Sequence, residues 1–331
     1  MSMATKFDLE PGYGWRAVVP ACSANLGSAF DCGALALQLY LNASFTPVSN
    51  TGLSLDYHGQ TPERFPLDDS NLILHALRFA AAKLGASLPC GHVAVSSEIP
   101  IGVGLGSSAA AVIAGLLLGA RYAGAEVEAA ELLGWANEIE GHVDDAAGSY
   151  HGGLVFSLSN NMDRVVTVRA DFPQSIGLII VSPERIVPTR EARKVLPQAY
   201  ERADVVHTLQ RAALLVATCF SGNFELFPEL FDDKLHQPYR RQFVPGIERC
   251  LGLRMEGLLG AAISGSGSSV IAFASGNHEA IAEALKQVFA AEGIQAEVRL
   301  TSADNCGAWV TREPVRAGKT LEHEQSSLRS K

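Results

Sequence analysis

Glycine falls at every second position of Gly102-Val103-Gly104-Leu105-Gly106, and Ser107-Ser108 follow before a small, apolar run from Ala109 to Ala120. No other segment narrows the possible folds so far. Glycines let a backbone take φ > 0 and approach its neighbours closely. The run behind them reads as a helix, so the turn delivers a helix start whose first N–H groups have no carbonyl partners. Together these make an anion cradle, and a serine hydroxyl at such a start can ligate Mg²⁺ or donate to a phosphate oxygen. A glycine-rich turn that merely packs is a second reading of the same residues. A Walker-type loop is excluded, because no Gly-Lys-Ser/Thr follows. A dinucleotide fingerprint comes nearer, since Gly104-x-Gly106-x-x-Ala109 fits its permissive form. It requires an acid about 20 positions on, at the end of a second strand; the candidate, Glu126, instead opens a helix.

The rest of the chain bounds what the anion can be. Of 331 residues, 47% are hydrophobic and only 18% charged, enough for a large core or two lobes. A formal charge of −9 offers no basic face to nucleic acid, so a bound polyanion must be small and held locally. Cys22, Cys32, Cys90, Cys219, Cys250 and Cys306 form no C-x-x-C pair and are expected as reduced, packed thiols. Lys6, Asp8 and Glu10 come early with no apolar core, so no secretory leader is expected. The Ala109–Ala120 run is shorter than the ~20 residues that cross a bilayer. A cytoplasmic enzyme without membrane or nucleic-acid partners is the expectation.

Periodicity and punctuation predict a mixed α and β chain. Strands are expected at Trp15–Pro20, Leu35–Phe45, His92–Ser96 and Ile176–Val181, with a hairpin at Gly152–Leu158 and Arg164–Arg169. Helices are expected at Asn71–Leu84 with Ser70 as N-cap, Ser107–Ala120, Glu128–Glu140, Glu191–Tyr200, Asp204–Phe220 and His278–Glu292. Strand-like Ala261–Ala274 surrounds a Ser-Gly-Ser-Gly-Ser-Ser core, and Glu297–Leu300 and Cys306–Thr311 close the pattern. Residues 313–331 are charged and aperiodic and are expected to be a disordered tail.

The block Pro100-x-x-x-Gly104-Leu105-Gly106-Ser107-Ser108-Ala109 resembles the phosphate loop of the GHMP kinase superfamily. Pro20-Ala21-Cys22-Ser23-Ala24-Asn25-Leu26-Gly27, continuing to Phe30-Asp31, is similar to the N-terminal motif of homoserine kinases within it. Ile263-Ser264-Gly265-Ser266-Gly267-Ser268 resembles the superfamily's C-terminal glycine motif, with Ser268 where proline is usual. Glu138-Ile139-Glu140-Gly141-His142-Val143-Asp144-Asp145 resembles a signature ending His-x-Asp-Asn, and Thr189–Arg193 and Pro238–Arg240 resemble substrate-side segments. The blocks occur in the family's order and span roughly residues 16–312.

The resemblance implies an α+β fold of two lobes: an N-terminal nucleotide lobe over 1–175 with a left-handed β-α-β crossover, and a ferredoxin-like lobe over 176–312. It implies ATP-dependent phosphorylation of L-homoserine in threonine biosynthesis, with Mg²⁺, in a homodimer. ATP would lie on Pro100, Gly102, Gly104, Leu105, Gly106, Ser107, Ser108 and Ala109, with Asn71 on the base side. Ser108 and Glu138 would hold Mg²⁺. Asn25, Asp31, His142, Arg193 and Arg240 would surround the amino acid, with Thr189 near its reacting end. A zwitterion needs a carboxylate for its ammonium, here Asp31, and guanidinium forks for its carboxylate, here Arg193 and Arg240.

Plainer readings stand beside these roles. Asp31 reads also as a turn residue, His142 as a loop histidine, Arg193 and Arg240 as ordinary ion pairs, and Glu138 as one solvated acid among Glu126, Glu128, Glu131 and Glu140. His207 has no assigned role. Asp145 departs from the family's asparagine, and mevalonate kinases carry aspartate there as a base paired with an N-terminal lysine that Ala21–Asn25 lacks. Asp145 is therefore a candidate proton acceptor. Another GHMP kinase with a different alcohol acceptor, and a non-catalytic ATP or amino-acid sensor, are the alternative functions.

Overall fold

The computed structural model describes residues 12–48, 52–87, 89–159 and 164–314. Its first half runs β1 (Tyr13–Asn25), β2 (Ala29–Pro47), β3 (Leu53–Gly59), α1 (Leu72–Lys83), β4 (Gly91–Ser97), α2 (Ser107–Tyr122), α3 (Ala129–Glu140), α4 (Asp144–His151), β5 (Leu154–Ser159) and β6 (Val165–Ala170). Then follow β7 (Gly177–Pro183), α5 (Thr189–Lys194), α6 (Arg202–Ser221), α7 (Phe227–Leu230), α8 (Gln237–Arg240), α9 (Ile247–Leu251), β8 (Leu258–Ile263), β9 (Val270–Ala274), α10 (His278–Ala290), β10 (Ala296–Thr301) and β11 (Trp309–Pro314).

Two sheets organise these elements. The first has seven strands, β11-β1-β2-β4-β3, with β5 joined to β2 and β6 to β5. Its parallel pair, β3 and β4, is bridged by α1. The second sheet is antiparallel with order β10-β7-β9-β8. Its β-α-β-β-α-β succession in that order is a ferredoxin-like arrangement. It begins at Gly177, and β11 returns to the first sheet, where Val18 to Tyr13 face Trp309 to Pro314. Glu313 and Pro314, expected in the tail, therefore close a strand; residues 315–331 and the first residues of the chain lie outside the described ones. Among the described residues, no helix is long and apolar enough to cross a membrane.

The apolar run behind the glycine turn becomes α2, buried from Ala109 to Leu116. Its small side chains let it lie between α1 and the first sheet, where Phe45, Leu77, Ile113 and Leu116 are fully buried. A second core under the other sheet gathers Ile179, Val181, Ile263, Leu285 and Phe289.

Two local expectations change. Asn71, not Ser70, caps α1: its Oδ1 accepts from the amides of Ile73 (2.9 Å) and Leu74 (3.4 Å), while the Ser70 hydroxyl donates to Asp68. The Glu191–Tyr200 helix shrinks to α5, which stops at Lys194, because Pro197 cannot continue it. The polar cluster after Gly141 leads into α4, with Asp144 and Asp145 in its first turn, where carboxylates favour the helix dipole.

Candidate active site

The glycine turn is locked to the other two glycine-bearing segments through its main-chain carbonyls. Ser269 donates its amide to the Val103 carbonyl at 3.0 Å, and the Ser264 hydroxyl donates to the Gly104 carbonyl at 2.6 Å. Gly265 donates to the Ala24 carbonyl at 3.0 Å, and Cys22 to that of Leu105 at 3.3 Å. Gly104 has φ +85°, and a Cβ there would stand 2.2 Å from the Ser264 carbonyl oxygen. No other residue fits. Gly106 takes a left-handed conformation at the N-cap of α2 and supplies no side-chain acceptor, so the first amides of that helix face outward. Ser108 is exposed and Ser107, Gly102, Gly104 and Gly106 are half-exposed, whereas Pro100, Leu105 and Ala109 are buried and anchor the turn from beneath.

An apolar slot opens beside Ser107 and Ser108, walled by Leu41, Tyr57, Phe65, Ile99 and Ala111. Tyr57 and Phe65 stack at 3.8 Å between ring centroids. Asn71 borders the slot, but its amide is committed: Oδ1 caps α1 and Nδ2 donates to the Pro66 carbonyl at 2.7 Å. Its contribution is to hold the wall in place.

The two acids at the end of α3 differ sharply. Glu138 is exposed and both its oxygens accept from Lys83 Nζ at 2.9 Å. Glu140 lies two residues on, and its Oε2 is buried without a hydrogen-bond partner. Burial raises its carboxyl above the usual range, opposed by a hydrogen bond from Ser108. A buried, unpartnered carboxylate oxygen beside a helix-start hydroxyl is a donor set suited to a hard divalent cation. Glu138, paired with Lys83 at the surface, is not enclosed in this way. Spacing along α3 leaves the choice open, since Glu140 follows buried Ala136 at i+4 and Glu138 follows buried Trp135 at i+3.

A second group of contacts is made by side chains, to one another and to main-chain atoms. Asp31, held in a left-handed turn at φ +54°, forms a two-pronged pair with Arg193, both bonds 3.0 Å and each side chain 38% exposed. Asn25 does not face solvent: its Oδ1 accepts from the Asp31 amide (2.9 Å) and its Nδ2 donates to the Gly265 carbonyl (2.8 Å). Arg240 is also buried, donating to the carbonyls of Gly265 (3.0 Å) and Ala192 (3.4 Å) and lying over the Phe30 ring. His236, which the motifs did not single out, completes this layer. Its Nε2 donates to the Gly27 carbonyl at 2.8 Å, so its Nδ1 accepts from Arg240 at 3.3 Å. Burial pushes its pKa down to about 4, which keeps it neutral. Thr189 opens α5 with its hydroxyl 3.3 Å from that of Ser266.

Between the two sides stands the start of α4. His142 Nδ1 lies 3.2 Å from the buried Asp144 carboxylate, and that bond raises its pKa to about 9, leaving it a cation. Asp145 is half-buried beside Asp144; desolvation and that neighbouring charge push its pKa up to about 7. The Cys22 thiol donates to it at 3.0 Å. Asp31, Arg193, His142 and Asp145 are thus brought together. Glu138 and the unassigned His207, which pairs with Asp232 at 3.0 Å, are not part of the group.

The sequence and the fold are similar to those of known proteins. The family model for the GHMP kinases N terminal domain matches residues 71–153, and that for GHMP kinases C terminal matches 212–291. A homoserine kinase of Solibacter usitatus is 37% identical over 294 residues, covering 89% of this chain and 96% of that one. One from Desulfitobacterium hafniense is 34% identical, covering 89% and 99%. The crystal structure of homoserine kinase from Cytophaga hutchinsonii superposes with a TM-score of 0.80 at 25% identity, covering 92% and 99%. A mevalonate kinase structure at 16% identity and a TM-score of 0.65 shares the fold.

Proposed function

The chain belongs to the homoserine kinase family of GHMP kinases, and on that premise we propose that it transfers the γ-phosphoryl group of ATP to the hydroxyl of L-homoserine. The observation that carries this reading is the convergence of an open helix start at Gly106–Ser108 with a zwitterion-matched pair, Asp31 and Arg193, on either side of Asp145.

In this reading the triphosphate lies on the outward amides of the α2 start and the adenine enters the slot of Tyr57 and Phe65. Ser108 and Glu140 hold Mg²⁺, which supplies neutralising charge to the phosphate oxygens. The Asp31–Arg193 pair suits an amino acid by exchange: the substrate's ammonium takes Asp31 and its carboxylate takes Arg193, so each charge keeps a partner. Buried Arg240 fixes the Gly265 turn and adds positive potential without touching substrate. The acceptor oxygen bonds to the γ-phosphorus as the bond to the bridging β,γ oxygen breaks and ADP leaves. The hydroxyl proton passes to the Asp145 carboxylate. Thr189 borders the transfer from the α5 side.

We extend the reading to a cytoplasmic homodimer, the state implied by the family, which light scattering tests. The main experiment is ADP release with a panel of hydroxylated acceptors. Homoserine-dependent release is expected; release only with another alcohol favours a second acceptor, for which Asp145 in place of asparagine is the supporting feature. No release with any acceptor rejects the kinase.

A further inference from the structure

Cys22 stands where three parts of this site touch. It is fully buried in β1, and its amide donates to the Leu105 carbonyl within the phosphate loop at 3.3 Å. Its thiol lies 3.0 Å from Asp145 Oδ1 and 3.2 Å from the Asp145 backbone carbonyl. A Cβ at Gly106 would come within 2.4 Å of the sulfur, and one at Gly148 of α4 within 3.3 Å of the Cys22 Cβ. The residue therefore has a defined space between loop, strand and helix.

We propose that Cys22 is a positioning residue for phosphoryl transfer: its thiol orients the Asp145 carboxyl toward the acceptor, while its amide ties that carboxyl to the phosphate loop. The proposal rests on the reading of Asp145 as proton acceptor. A thiol offers one weak, uncharged donor, and burial with the Asp145 charge keeps it from ionising. Such a donor fixes a carboxylate without the strong stabilisation a cation would give, so the oxygen stays basic. The other groups facing Asp145 are Asp144 on its own helix, His142 before it, Glu140 on α3 and Arg193 on α5.

The test is a double-mutant cycle in the full chain. Cys22→Ala is expected to lower kcat with homoserine about 10-fold and leave KM for ATP within about twofold. Cys22→Ser, which keeps a donor, is expected to recover most of that loss. In an Asp145→Asn background, Cys22→Ala is expected to cost less than about twofold, because the partner is gone. Losing a donor to the carboxylate raises its pKa, so the acidic limb of kcat should move to higher pH in Cys22→Ala. Equal losses in both backgrounds, or an unmoved limb, overturn the proposal and leave Cys22 a packing residue. Titration of the Asp145 carboxyl by ¹³C NMR reads the contact without turnover. A wild-type enzyme inert toward homoserine rejects the functional reading alone, whereas a titration unchanged by Cys22→Ala rejects this one.

Discussion

Around Gly102–Ser108 the contacts that set geometry all end on main-chain carbonyls: Val103 and Leu105 accept from the amides of Ser269 and Cys22, and Gly104 accepts from the Ser264 hydroxyl. Across the cleft, at Asp31, Arg193, His142 and Asp145, they run between charged side chains. In the proposed function the first region takes a ligand of constant shape and charge, and main chain held by close approach does not have to reorganise for it. The second must admit a zwitterion, shed a proton and release a product, tasks for groups that exchange partners or change protonation. Rigidity sits on the nucleotide side, tunability on the acceptor side.

Substitutions can break this contrast, beginning with the largest effect. Gly104→Ala forces a methyl into the Ser264 carbonyl at a positive φ, so kcat/KM should fall by roughly 10³-fold, a displacement near 1 Å alone costing about 10². Equivalent activity in the alanine variant would mean the main-chain lock is dispensable. Glu140→Ala should lower kcat by about 10²-fold and raise the Mg²⁺ concentration needed for half-maximal rate, whereas Glu138→Gln should change either by less than about twofold, since it loses only a surface pair. The reverse result would return the cation to Glu138.

On the acceptor side, Asp145→Asn should reduce kcat by about 10²-fold at neutral pH. With the wild-type carboxyl pushed up to about 7, it must be ionised to accept a proton, so kcat should fall as pH drops through that value, and the asparagine variant should lose this limb. A pH–rate profile of both enzymes decides it. Arg193→Ala should raise KM for homoserine about 10-fold with KM for ATP unchanged. Because the Asp31–Arg193 pair is part-exposed, its loss should move unfolding free energy by no more than about 1 kcal/mol.

The same division explains what could be read in advance. The phosphate loop was legible because its constraint is local: only glycine tolerates the conformation of residue 104, and an apolar run must become a buried helix. Motif position points to Glu138, and only the folded chain shows Glu140 enclosed and Glu138 on the surface with Lys83. Asn25 and Arg240 were recognised as site residues, yet their polar atoms turn inward to Gly265. His236 has a near partner in Arg240, but Gly27 and Phe30, which it also meets, lie far away in the chain.

From the amino-acid order alone came the helix behind the glycines, the strands that alternate, and the residue types a phosphate and a zwitterion require. Local sterics and hydrophobic period act within a few residues, and these are visible along a line. Which acid is enclosed beside the helix start, which guanidinium stays part-exposed, and that a thiol of β1 meets an aspartate of α4 were decided by packing. Burial and charge proximity, the quantities that set those choices, exist only once segments separated by more than a hundred residues are brought together.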